Sequence, residues 1–185
     1  GTVKDFLFDD ESNIVRYLVI DTGNWLPGRK VLVSPVAIDQ PNLDTRELPT
    51  VLSRENIETS PALEDDLPVS RQKEVALSSH FNWPMYWGHS DSGLDHHSTQ
   101  TQVVELDGNP HLRSVKEVIG YHIQCMEGTL GHIDDLIVDT ESWTMRYLVI
   151  DTQNWLPGKK VIKEQGATQS QPIIIELREE EEQKE

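Results

Sequence analysis

Two stretches of this chain carry apolar residues without interruption, Tyr17-Leu18-Val19-Ile20 and Tyr147-Leu148-Val149-Ile150, each entered by an arginine and left by an aspartate. A short apolar run bounded by charges predicts a strand covered on both faces, because an exposed face would show polar alternation. Around the second run the pattern predicts strands near Tyr121 to Met126, His132 to Val138, Met145 to Asp151 and Lys160 to Ile162. Glu127-Gly128 and Asp139 to Ser142 predict the hairpin turns between them. The first run follows the same course, with TVKDFLF, the turn DDESN, the strand IVRYLVID and the strand KVLVSP. Beyond it we expect one more strand near Glu47 to Leu52 and a helical turn capped by Ser53. PIIIEL predicts a last strand, ahead of a charged tail. Ser70 precedes RQKEVALSSHF, whose helix formers and loosely periodic Val75, Leu77 and Phe81 predict a helix. From Asn82 to Gln102 there is no periodicity, and a mobile linker is expected.

The two courses are an internal repeat. RYLVIDTGNWLPGRKV (16–31) recurs as RYLVIDTQNWLPGKKV (146–161), 130 residues later, with 14 of 16 positions identical. The same offset over residues 1–15 keeps only 5 of 15. Identity is therefore local, as expected of a buried strand feeding a rigid turn. The repeat predicts two small modules: 1–68, which lacks an opening strand, and 111–185, with an acidic tail. A helix and a flexible linker over 69–110 join them. Gly1 aligns with Gly131 inside the second copy, so an upstream piece is expected to be missing, and the first module should lack one strand or borrow it. Modules of roughly 70 residues bury only about 60% of their unfolded surface, which favours self-association, with a dimer as the expectation.

The formal net charge of −16 argues against nucleic acid and anionic membranes; it fits a basic protein partner, and solubility alone accounts for it more simply. Cys125 is the only cysteine, so no intrachain disulfide forms; with no signal peptide evident, the expected compartment is the cytoplasm. No apolar run approaches the roughly 20 residues needed to span a bilayer, so membrane insertion is not expected.

The run GYHIQCMEGTLGHIDDLIVD followed by a charged turn and RYLVID resembles the PRC-barrel family. Gly120, Tyr121, Ile123, Gly128, Gly131, Ile133, Asp135, Leu136, Val138, Asp139 and the RYLV-D positions 146–149 and 151 carry the resemblance. In the first copy Gly1, Val3, Asp5, Phe6, Phe8, Asp9, Arg16 to Val19 and Asp21 carry it, and the NWLPGKKV extension is similar to tandem bacterial members. The resemblance implies a mainly β fold of two small β-barrels with short helices. It also implies docking rather than turnover, as in the cytoplasmic domain of the photosynthetic reaction centre H subunit and in a ribosome maturation factor. A fold-based classification would group the chain with H subunit-like proteins. Trp83, Pro84, Tyr86 and Trp87 are unusual for a linker, and are expected to dock on a barrel or else to offer an aromatic surface to a partner.

The NWLPG turns are the candidate interaction surface: Asn24, Trp25, Leu26 and Pro27, with Asn154, Trp155, Leu156 and Pro157. Asn suits a turn, Pro presets φ, and Gly28 and Gly158 permit the reversal. The tryptophans serve as lids over a small sheet or as exposed anchors for self-association. Arg16 with Asp21, and Arg146 with Asp151, read as local ion pairs. The acidic turns Asp9-Asp10-Glu11 and Asp139/Glu141 read as turn chemistry, since their spacing does not fit a calcium loop. His89, His96 and His97 with Asp91 and Asp95 could ligate zinc or nickel but lack the spacing of a known zinc motif. No catalytic residue, metal or cofactor is therefore expected. An adaptor is the first reading and a metal- or small-ligand-binding sensor the alternative.

Overall fold

A computed structural model describes residues 1–63, 69–87, 110–126 and 128–152, together with the backbone of 160–164 and 173–175. The fold is mainly β, antiparallel wherever strand registers are defined, with a few short helices. Its residues cluster into two compact units, 1–4 with 17–112 and 5–16 with 113–185, so the hairpin β1 (Thr2–Asp9) and β2 (Ile14–Asp21) contributes to both. No helix among the described residues is long and apolar enough to cross a membrane.

In the first unit β2 pairs with β3 (Lys30–Val33), setting Leu18 opposite Val33 and Ile20 opposite Val31. Leu18 and Val19 point to opposite faces of the strand, and both are buried, as the unbroken apolar run requires. Val31, Val33 and Ala37 form a core against which Ile38, Leu52, Ile57 and Trp83 pack. Ser53 caps the short helix α1 (Arg54–Glu58) through a capping box with Asn56. Ser70 caps α2 (Arg71–Phe81), accepting from Lys73 N. The expected strand over Glu47 to Leu52 is not formed. Only two isolated bridges occur, Ile38 with Thr50 and Asn42 with Glu47. The reason is local: Arg46 sits at φ 55°, turning the chain back, and Pro49 has no N–H for a ladder.

In the second unit β4 (Leu112–Ser114) leads into the short helix α3 (Val115–Val118), then β5 (His122–Cys125), β6 (Gly128–Asp139) and β7 (Thr144–Asp151). Strands β8 (Lys160–Glu164) and β9 (Ile173–Ile175) continue the antiparallel order from β7. Strand β6 starts at Gly128, four residues ahead of the expected start, because β5 pairs along its whole first half. The tips of the two hairpins pair with each other. Val15 N donates to Trp143 O and Met145 N to Asn13 O, both at 2.8 Å, around the pair Ile14 and Thr144. Each partner is the other's counterpart at an offset of 130. The sheet is open: strands run β4-β1-β2-β7-β6-β5, with β3 on β2 and β8 on β7. These pairings do not close the two barrels expected above.

Candidate functional site

The repeated turn is held by Thr22. Its Oγ1 lies 2.6 Å from Leu26 O and 2.9 Å from Arg29 O, and its N–H donates to Arg29 O. Thr22 is buried, so its hydroxyl is a structural clamp on this turn, and its counterpart Thr152 is buried as well. Asp21 Oδ1 accepts from Gly23 N at 2.8 Å, and a 3₁₀ turn over Gly23–Trp25 follows. Gly28 has φ 77° with open space around it, so backbone conformation rather than room calls for glycine there.

The turn leaves Asn24 and Pro27 exposed and Leu26 half-buried, and sets Trp25 half-buried at the wall of a cavity of about 730 Å³. Gly1, Thr2 and Val3 form one side of that cavity, Leu18, Ile20, Val31 and Val33 its floor, and Ile38, Ile57 and residues 46–50 the remainder. The Arg54 guanidinium stands 5.8 Å from the Trp25 ring centroid, holding the indole from outside. The polar groups of the lining are largely committed: Thr50 Oγ1 donates to Ala37 O at 2.7 Å, and Glu47 Oε2 accepts from Thr45 at 2.9 Å. Asn154, Trp155, Leu156 and Pro157, together with His89, Asp91, Asp95, His96 and His97, lie outside the described residues.

Residues 1–48 match the PRC-barrel domain family. No curated protein matches the chain. The PRC-barrel match contains the whole hairpin, the repeated turn and the cavity lining as far as Leu48. Helix α2 and its aromatic neighbours lie beyond it.

Those neighbours pack onto the first unit. Trp83 stacks on Phe81 at 4.3 Å and reaches the core cluster. Tyr86 donates to Glu74 Oε1 at 2.6 Å, and Arg71 Nη1 pairs with Glu74 Oε2 at 2.9 Å while its guanidinium lies 4.2 Å from the Trp87 ring centroid. Glu74 is wholly buried. Tyr17 also hydrogen-bonds to that carboxylate; its own burial first, then the Glu74 charge, push its phenol far above the ordinary tyrosine range. The network is a sealed polar plug that ties α2 to β2.

The other sequence candidates resolve into local chemistry. Asp9 Oδ1 accepts from Ser12 N and Oγ, each at 2.8 Å, and Asp10 pairs with Arg113 at 2.9 Å. Arg16 Nη2 donates to Ser12 Oγ at 3.1 Å. Asp139 accepts from Glu141 N and Ser142 N and pairs with Arg146 at 3.2 Å, and these contacts, led by the two backbone N–H groups, hold its carboxyl below the usual range. Asp21 pairs with Lys4 rather than Arg16, at 3.9 Å.

Sequence reasoning missed two features. The buried stripe of α2 is Glu74, Leu77 and Ser78, and a glutamate in that stripe gave no apolar signal. The second is a cluster of His132, Asp134 and Asp151, whose ligand-type atoms lie within 4.8 Å of one another. Its signal was available as the change from Lys4 to Asp134 between the copies.

Proposed function

We propose that the chain is a non-catalytic docking protein of two PRC-barrel-like modules, 1–68 and 111–185, and that the first takes an extended segment of a protein partner in its groove. One observation carries the reading. The groove is walled by Gly1 and Thr2, and their counterparts in the second copy, Gly131 and His132, are paired by β5, with Ile123 set opposite Gly131. An extended segment such as β5, which sets Ile123 opposite Gly131 in the second copy, would bury an apolar side chain against the Ile20 and Val31 floor of the groove. The match of residues 1–48 to a family of docking modules supports this, as do lining hydroxyls spent on carbonyls rather than set beside a base. The charge of −16 favours a basic flank on the partner's segment.

The test is fluorescence anisotropy with a labelled peptide copying residues 120–126, with serine in place of Cys125 and two lysines appended. Binding should saturate, and Trp25→Ala and Ile57→Glu should each weaken it at least about tenfold, the cost of losing one buried apolar wall. Absence of saturable binding by the unaltered chain would overturn the groove reading. Self-association through the Trp25 and Trp155 turns belongs to the same proposal: light scattering of the double alanine variant should show a lower mass than the parent chain. An unchanged mass in a folded variant removes the dimer.

A further inference from the structure

Strands β6 and β7 place His132 directly across from Asp151, and the register shifts between Ile133 and Asp135, making Asp134 the extra residue of a bulge. A bulge re-aims the side chain that it carries. Here it brings one ligand-type atom from each of His132, Asp134 and Asp151 within 4.8 Å of the others, on half-buried residues.

The first copy shows what this position does without such a cluster. The counterparts of the three residues are Thr2, Lys4 and Asp21, and Lys4 Nζ stands 3.9 Å from Asp21 Oδ2. Each aspartate also faces a lysine in register on the following strand, Lys30 in one copy and Lys160 in the other. That feature is common to both, so the difference lies at residues 4 and 134 and at residues 2 and 132. The aspartate is kept, the ammonium beside it becomes a second carboxylate, and a threonine becomes an imidazole. A dication between the two carboxylates would be attracted to both.

We propose that His132, Asp134 and Asp151 bind a divalent first-row transition metal ion. The donor set defines the class. Two carboxylate oxygens and one imidazole nitrogen suit Zn²⁺, Ni²⁺ or Mn²⁺, while magnesium and calcium prefer oxygen throughout. At metal–ligand distances of about 2.1 Å, tetrahedral donors stand roughly 3.4 Å apart, so side-chain rotation of an ångström or so closes the present spacing. A fourth position is left to water or to His122, which pairs with His132 across β5 and β6 at a ring separation of 6.5 Å. The bound ion would pin β6 to β7, and with His122 would also tie in β5.

Zinc titration by calorimetry on the full chain, and on a variant with serine at positions 89, 96 and 97, tests the site. Both proteins should bind one Zn²⁺ with similar affinity and melt at higher temperature with zinc present. Asp134→Lys, which restores the arrangement of the first copy, should weaken binding by roughly 100-fold or more and abolish the melting shift. Asp134→Asn, which preserves side-chain shape, should weaken it by roughly tenfold. His122→Ala should have the smallest effect. The proposal is overturned if no heat exceeds dilution, if both Asp134 variants bind as the parent does, if the linker serines remove binding, or if Mg²⁺ competes as an equal.

Discussion

The strands β2 and β7 share the sequence RYLVID yet live in different surroundings. In β2, Tyr17, Leu18 and Val19 are all buried; in β7, Tyr147, Leu148 and Val149 are only half-buried. The difference comes from what lies over each strand. Helix α2 sets Glu74 against Tyr17, and Trp83 and Ile57 pack against the cluster of Val31, Val33 and Ala37 that Ile20 also joins. The lesson is that a duplicated segment specifies a strand, while the burial of that strand is decided by residues that were not duplicated.

Removing the plug should break the comparison most strongly. Glu74→Ala leaves Arg71, Tyr17 and Tyr86 without their common acceptor in a buried site, and should cost about 3–5 kcal/mol in urea denaturation. Glu74→Gln, which keeps an acceptor, should cost less. Tyr17→Phe should cost about 1.5–3 kcal/mol, the worth of a hydrogen bond to a charged group. Tyr147→Phe, on the same strand in the other copy, should be close to neutral. Equal costs for the two tyrosines would mean that β2 and β7 are not differently covered.

The next effect probes what the copies share. A Cβ added at Gly131 would fall 2.0 Å from Asp151 O, and at Gly1 2.7 Å from Asp21 O, with Ile150 or Ile20 next nearest. Each hairpin therefore needs glycine where its first strand crosses the end of its second. Gly131 also has φ 157°. Gly131→Ala should destabilise by about 2–4 kcal/mol, since a clash with backbone cannot be relieved by a rotamer. A loss under about 0.5 kcal/mol, as at an ordinary surface position, would show that the strands part freely there.

Much of this was legible because local rules act locally. The hairpin strands, the turn at Asp139, the Ser53 and Ser70 caps and the helix over Arg71 to Phe81 follow from apolar runs, Asx turns and capping hydroxyls. Long-range partnership was not legible. Nothing in RQKEVALSSHF marks Glu74 as buried, because its partners Tyr17 and Tyr86 are distant in sequence and the helix shows Val75, Leu77 and Phe81 as its apolar set. The pairing of the hairpin tips was hidden for a different reason: backbone hydrogen bonds at Asn13 and Trp143 require no particular side chain, though both residues adopt positive φ, 58° and 53°. The strand expected near Leu48 does not form because Pro49 has no N–H to give and Arg46, at φ 55°, turns the chain back. The cluster at His132 is marked in the sequence only by a reversal of charge, Lys4 against Asp134, in a segment where the copies share few residues.

The smallest expected effect separates the two hairpin turns by pH. Asp139 accepts from two backbone N–H groups and Arg146, and its carboxyl is held below the usual range. A carboxyl with a depressed folded pKa stabilises fully above its unfolded value of about 3.9, and that contribution is lost as pH falls through the lower folded value. The β6–β7 hairpin should therefore keep its turn below pH 4 until the Asp139 carboxyl protonates. Carboxyl NMR should show Asp139 titrating below a model aspartate, and Asp139→Asn should flatten the acid-side fall in melting temperature while shifting the neutral value little, because the group is exposed and its ion pair screened. In the β1–β2 turn the same carboxylate role belongs to Asp9, which accepts from Ser12 N and Ser12 Oγ, and Arg16 donates to that serine. Arg16→Gln should accordingly leave the Asp139 titration unmoved, whereas Arg146→Gln should raise it toward the ordinary aspartate range without reaching it, since the two backbone donors remain. If Arg146→Gln alone restored ordinary aspartate behaviour, the ion pair rather than the turn would set the acid limit of this hairpin.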